Sequence, residues 1–201
     1  YGQNNGDAET SHLRYLVRSV SYSNIDNGDI PVRRNVLHDN TWIEEGDFYS
    51  AGNLQRTYNS FSKLPIVKST NIRFSEVADT NLLDCNVILG MNKLNSIAFL
   101  PEGTNTAGDL GAAASLTYEN RNLFKGAEVF SVKLRAAFEA ITGLEGYQNQ
   151  DYEEYSVETK LSFPRFVAPF LSSDFKKNSS AQSELAISYN MQNRPEFHRR
   201  V

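Results

Sequence analysis

The tightest constraint on this chain lies between Gly108 and Glu139, where GDLGAAASLTYENRNLFKGAEVFSVKLRAAFE reads as two alternating runs joined by a turn. Leu110, Ala112, Ala114, Leu116 and Tyr118 fall on one face of the first run. Phe130, Val132, Leu134, Ala136 and Phe138 fall on one face of the second. Ser115, Thr117, Glu119, Ser131, Lys133, Arg135 and Glu139 occupy the opposite faces. Successive side chains of a strand point to opposite sides, so a period of two with one apolar face specifies a half-buried strand. That face must be covered by a protein core or by lipid.

No run of about 18 apolar residues occurs, so no membrane-spanning helix is encoded. A membrane-spanning strand needs only about 9 to 11 alternating residues, so the mean hydropathy of −0.47 remains compatible with a barrel wall. With 201 residues the chain is expected to form two units rather than one. A net charge of −4 gives no electrostatic reason for a nucleic-acid partner. The chain opens at Tyr1 without methionine and closes on FHRRV after a strand-like run, as expected of a piece of something longer.

Taken in order, residues 1–12 are a polar, Gly/Asn-rich lead-in expected to be disordered. Leu13 to Ser23 alternates as a strand and NIDNGDIP is a turn cluster. A short helix is expected over Val32 to Asp39 after Pro31. A second, capped by Ser50 or Asn53, carries Leu54, Tyr58, Phe61 and Leu64 on one face and ends at Pro65. Strands are expected over Ile66 to Val77 and Leu82 to Met91, with a turn between. Residues 93–107, rich in Asn, Thr, Pro and Gly, read as a linker. Beyond the opening hairpin, EYSVETKLSFPRF and SELAISYNM alternate again, separated by polar loops.

The order strand, helix, helix, strand, strand resembles a POTRA domain, and Gly46, Asp47, Tyr49, Ser50, Thr57, Tyr58 and Leu64 match its pattern. Gly111, Tyr118, Asn120, Asn122, Leu123, Phe124 and Gly126 resemble the opening phrase of the bacterial surface antigen barrel of BamA- and TamA-like outer-membrane assembly proteins. SFPRFVAPF resembles a phrase of TamA-like proteins of the Bacteroidetes type.

These resemblances imply an α+β fold: a POTRA-like domain over 13–92, a linker over 93–107, and the first antiparallel strands of a transmembrane barrel over 108–201. They imply a non-enzymatic component in the outer membrane, with the POTRA-like part in the periplasm. Its partners would be unfolded outer-membrane proteins, other subunits of an assembly machinery and the bilayer. Substrate strands would add to the edge strand carrying Val67, Ser69, Asn71, Arg73 and Ser75. The first barrel strand, with Leu110, Ala112, Ala114, Leu116 and Tyr118, would form one side of a lateral seam that opens.

Other chemistry finds little support. The adjacent pairs Glu44-Glu45 and Glu153-Glu154 diverge in direction and read as solvated charge. His12, His38 and His198 are scattered, with no nucleophile signature beside them. GDLGAAAS lacks the GK[ST] ending of a phosphate loop. Cys85, the single cysteine, reads as a small buried residue. No cofactor or metal is expected. Alternation itself leaves one competitor open, a soluble all-β ligand-binding or interaction module with an α+β lead domain, because a solvent face and a wet lumen demand the same residues.

Overall fold

The computed structural model describes residues 14–26, 28–106, 109–140, 151–165, 181–194 and 197–200. The element order is β1 (Leu16–Asn24), α1 (Arg34–Asp39), α2 (Ala51–Ser62), β2 (Val67–Glu76), β3 (Leu82–Met91), β4 (Asn95–Thr106), β5 (Asp109–Asn120), β6 (Val129–Glu139), β7 (Tyr152–Phe163), β8 (Ser183–Arg194) and β9 (Phe197–Arg200). The expected lead-in and the polar loops around Tyr147 and Phe170 lie outside the described residues.

The lead unit is a three-stranded sheet in the order β1-β3-β2, with β1 parallel to β3 and β2 antiparallel to it. Strict alternation in β3 sends Leu83, Cys85, Val87 and Leu89 inward. The helical spacing of α2 brings Phe61, with Leu64 just beyond, onto that layer, and both are buried. Burying a phenylalanine completely is worth roughly 1.5–3 kcal/mol by transfer. Ser50 caps α2, its hydroxyl accepting from the Asn53 amide at 3.4 Å. Thr57 is fully buried on the same helix. Its hydroxyl donates to the Asn53 carbonyl at 2.8 Å and accepts the Trp42 amide at 3.0 Å, so burial leaves no orphan polar group.

Two local expectations shift. A bulge between Val17 and Ser19 changes the phase of β1, so that Val17 and then Val20 and Tyr22 meet the core. Helix α1 begins at Arg34 rather than Val32, because Arg33 is extended (φ −66, ψ 148) and its amide donates to the Lys125 carbonyl at 2.8 Å.

The second sheet runs in sequence order, β4-β5-β6-β7-β8-β9, all neighbours antiparallel. Residues 93–107 are therefore not a linker. Most of them form β4, which pairs with β5 from Asn95↔Asn120 to Thr106↔Asp109. Only residues 92–94 connect β3 to β4. The asparagines, glycine and proline that read as a loop are tolerated because among the described residues β4 has a partner on one side alone, and proline is accepted on edge strands.

Candidate functional site

The registers stack side chains of the second sheet into rows. Ile97, Tyr118, Val132, Thr159 and Ile187 stand side by side across β4 to β8, followed by Phe99, Leu116, Leu134, Val157 and Tyr189. Pro101, Ala114, Ala136, Tyr155 and Met191 make the next row. Phe130, Leu161 and Leu185 lie on one flank, and Ala112 with Phe138 on the other. The apolar rows thus cover about 27 Å along the strands at roughly 3.4 Å per residue, which a tilt of about 35–45° shortens to roughly 20 Å, somewhat less than the band of about 25 Å in a membrane barrel.

This apolar face is uncovered; the opposite face is open too at Ala98, Lys133, Ala186 and Ser188 but closed at the centre of β5. Ile97 is 74% exposed, Phe99 67%, Leu110 68% and Ile187 67%, whereas Ala113 and Ser115 on the opposite face of β5 are 7% and 3% exposed. Leu100, 56% exposed, is the large apolar residue on the polar side. The opposite face carries a linked polar set. Arg135 meets Glu102 at 2.6 Å and Lys160 meets Glu158 at 2.8 Å. Glu154 accepts from Tyr152 at 2.6 Å and from Asn190 at 2.8 Å. A sheet folded for water would turn the opposite side outward, since soluble monomers rarely show continuous apolar patches beyond a few hundred Å².

Among the described residues the sheets end on β1 and β2 and on β4 and β9, and two of these edges, β2 and β4, bear on the expected binding strands. Strand β2 is an edge of the lead sheet, as its expected role requires. Ser69, Asn71, Arg73 and Ser75 are exposed on one side of it, while Val67, beyond a bulge, packs against the core. The edge is partly guarded, because the Ile72 amide already donates to the Tyr58 hydroxyl at 3.0 Å. Antiparallel alternation directs Thr70, Ile72 and Phe74 outward by their backbones, so Tyr58 occupies the middle of the open row.

The second edge differs from expectation. Leu110, Ala112, Ala114, Leu116 and Tyr118 do share the apolar face, but β5 is paired on both sides and its strand is not a seam. Among the described residues the sheet's edges are β4 and β9, and the edge beside β5 is β4. Nor is β5 loosely held: its small residues let neighbours approach, and the pairing with β4 is unbroken.

The third feature is a junction that sequence reasoning missed. The β5–β6 turn, 121–128, docks onto the lead unit. Asn122 donates from its side chain to the Pro31 carbonyl at 2.8 Å, accepts the Ala127 amide at 3.0 Å, and is 8% exposed. Ala127 is fully buried within the lead unit's core cluster. Glu128 accepts the amides of Phe124 at 3.2 Å and Gly126 at 2.9 Å. Lys125 and Ala127, not Gly126, take the positive φ values, 60 and 63. A Cβ at Gly126 would stand 2.1 Å from a Glu128 carboxylate oxygen, so an added methyl would displace that carboxylate from the turn. At the neighbouring corner Arg165 pairs with Asp39 of α1.

No protein-family description matches this sequence, and no curated protein does. Among solved structures, the chain is similar to CdiB from Acinetobacter baumannii, with a TM-score of 0.50 and 10% identity over 92% of this chain and 40% of that one. It also matches BamA from Haemophilus ducreyi lacking POTRA domains 1–3, with a TM-score of 0.44 and 12% identity over 91% of this chain and 37% of that one. The chain therefore spans less than half the length of either structure. The likeness to CdiB is one of fold.

The signal that could have found the junction was the spacing Asn120, Asn122 inside a turn, because asparagine amides bond neighbouring backbone there. Its long-range partner, Pro31, lies 91 residues earlier and leaves no local trace.

Proposed function

We propose that this chain is the membrane-proximal part of a BamA/TamA-like outer-membrane assembly protein. Its lead unit serves as a periplasmic POTRA-like domain, and β4 to β9 form the start of the barrel wall. The observation that carries this reading is the outward apolar face of β4 to β8 over a linked polar face. An open sheet cannot stay in hydrocarbon with unpaired edges, so further strands would have to close the wall. The same exposed face counts against a soluble ligand-binding module.

The activity is the templating of incoming strands by backbone pairing, with no covalent chemistry. Two edges would serve, β2 in the periplasm and β4 as the seam strand of the barrel wall. Affinity would come from main-chain hydrogen bonds and selectivity from the alternating side chains. The partners would be unfolded outer-membrane proteins, with other assembly subunits around the lead unit. Photo-crosslinkers placed at Thr70 and Phe99 of the bilayer-inserted protein should capture an unfolded barrel substrate. Tyr58→Phe, which frees the Ile72 amide, should raise capture at Thr70. Crosslinks found instead only from α1 and α2 would contradict the proposal.

A further inference from the structure

Between the lead unit and the β5–β6 turn lies a cavity of about 1120 Å³. Arg33, Arg34 and Lys125 line it together with His38, against one carboxylate, Asp29. This cationic cluster sits in a chain whose net charge is −4. Among the described residues no carboxylate pairs with Arg33, Arg34 or Lys125, whereas nearby Arg165 is held by Asp39. All three residues are exposed.

The cluster also has a definite height. Asn120 lines the cavity and pairs with Phe130, the start of the first apolar row with Leu161 and Leu185. Leu94 and Leu123, each 41% exposed, complete an apolar lip. Cations therefore meet the beginning of the apolar wall, which is the depth at which a bilayer places its phosphates. A ligand that fits must have a negative head and an apolar tail.

Resting on the outer-membrane reading above, we propose that this cavity holds the phosphate headgroup of an anionic phospholipid from the leaflet facing the lead unit. The lipid bridges the turn at Lys125 and the segment at Arg33 and Arg34, so it acts on the same joint that the Asn122 contact to Pro31 closes. Multiple cations near one phosphate provide charge-assisted hydrogen bonds, which are the stronger kind. The site reads charge and not headgroup shape, since its cations stand on flexible stems.

The test uses the full-length protein in nanodiscs made from phosphatidylcholine alone or mixed with phosphatidylglycerol, with retained lipids identified by native mass spectrometry. Insertion is scored first, by protease protection of the barrel. The expected result is preferential retention of phosphatidylglycerol, which falls by roughly a hundredfold in R33Q/R34Q/K125Q at about fivefold per cation. R33K/R34K should retain it. Arg33 contacts the turn through its backbone amide, so these variants leave that bond in place. Insertion without preference, or preference unchanged in the triple Gln variant, overturns the lipid site while leaving the membrane reading intact. Displacement of the lipid by inorganic phosphate at equal concentration makes it a small-anion site and likewise overturns the proposal. Failure to insert overturns both.

Discussion

The side-chain amide of Asn122 donates to the backbone carbonyl of Pro31 at 2.8 Å, and through that bond a hairpin of the second sheet grips the lead unit. The same side chain takes the Ala127 amide at 3.0 Å, which places Ala127 in the lead unit's core. One buried residue thus couples two sheets that share no strand pairing.

Asn122→Ala removes both bonds while leaving the Ala127 amide and the Pro31 carbonyl with lost partners. Stability of the lead unit should fall by about 1–3 kcal/mol. Hydrogen exchange at the Arg33 amide should speed up, because the turn that supplies the Lys125 carbonyl is no longer fixed. Unchanged exchange at Arg33 would mean that the two units are coupled elsewhere.

Gly126 and Glu128 form one device. Gly126→Ala drives the Glu128 carboxylate from the amides of Phe124 and Gly126, and Glu128→Ala removes that carboxylate outright. The double variant should cost no more than the costlier single one, as expected of residues in direct contact. Additive losses in a double-mutant cycle would refute this coupling.

Much of this arrangement is legible in sequence, and the exceptions are physical. Period two in Leu83, Cys85, Val87 and Leu89, and helical spacing in Leu54, Tyr58, Phe61 and Leu64, survive because each element buries one face against one core. Strand β4 escapes notice because Asn95, Pro101, Gly103 and Thr104 carry loop chemistry, which an edge strand tolerates and an interior strand does not. The seam followed that miss. Which strand is an edge depends on what pairs beside it, so reading β4 as a linker made β5 look free. The bulge at Val17 is likewise silent, since inserting one residue into a ladder needs no special residue type. Helical spacing accounts for the ring of Tyr58 alone, and the reach of its hydroxyl to Ile72 is a tertiary fact.

In the lead unit Arg18 donates from Nε to Asp84 at 2.8 Å, and the Ser19 hydroxyl donates to the same carboxylate at 2.7 Å. The Arg18 hydrogen bonds, then that of Ser19, hold the Asp84 carboxyl below its ordinary value. The folded state therefore binds this proton more weakly than the unfolded chain. Its contribution is present above the unfolded value and is lost as pH falls through the folded one. Arg18→Gln should move the Asp84 titration upward, read by carboxyl NMR shifts, and flatten the acid limb of stability. An unmoved titration would disprove the link.

Cys85 is fully buried in β3, and burial pushes its thiol up to about 11. The folded state keeps its proton where the unfolded chain, near 8.5, has lost it. Stability should accordingly decline as pH rises between those values. At neutral pH a maleimide should label Cys85 only on unfolding. Rapid labelling of the folded protein would place this strand outside the core.

The central claim is that the apolar face of β4 to β8 meets lipid, and accessibility along β6 tests it most directly. Single spin labels at Val132, Lys133, Leu134, Arg135 and Ala136 of the bilayer-inserted protein, with Cys85 left inert in its core, would be probed with oxygen and with a water-soluble relaxant. Accessibility should oscillate with period two, Val132, Leu134 and Ala136 favouring oxygen while Lys133 and Arg135 favour the aqueous reagent. Equal aqueous access at all five positions, or the opposite phase, would contradict it.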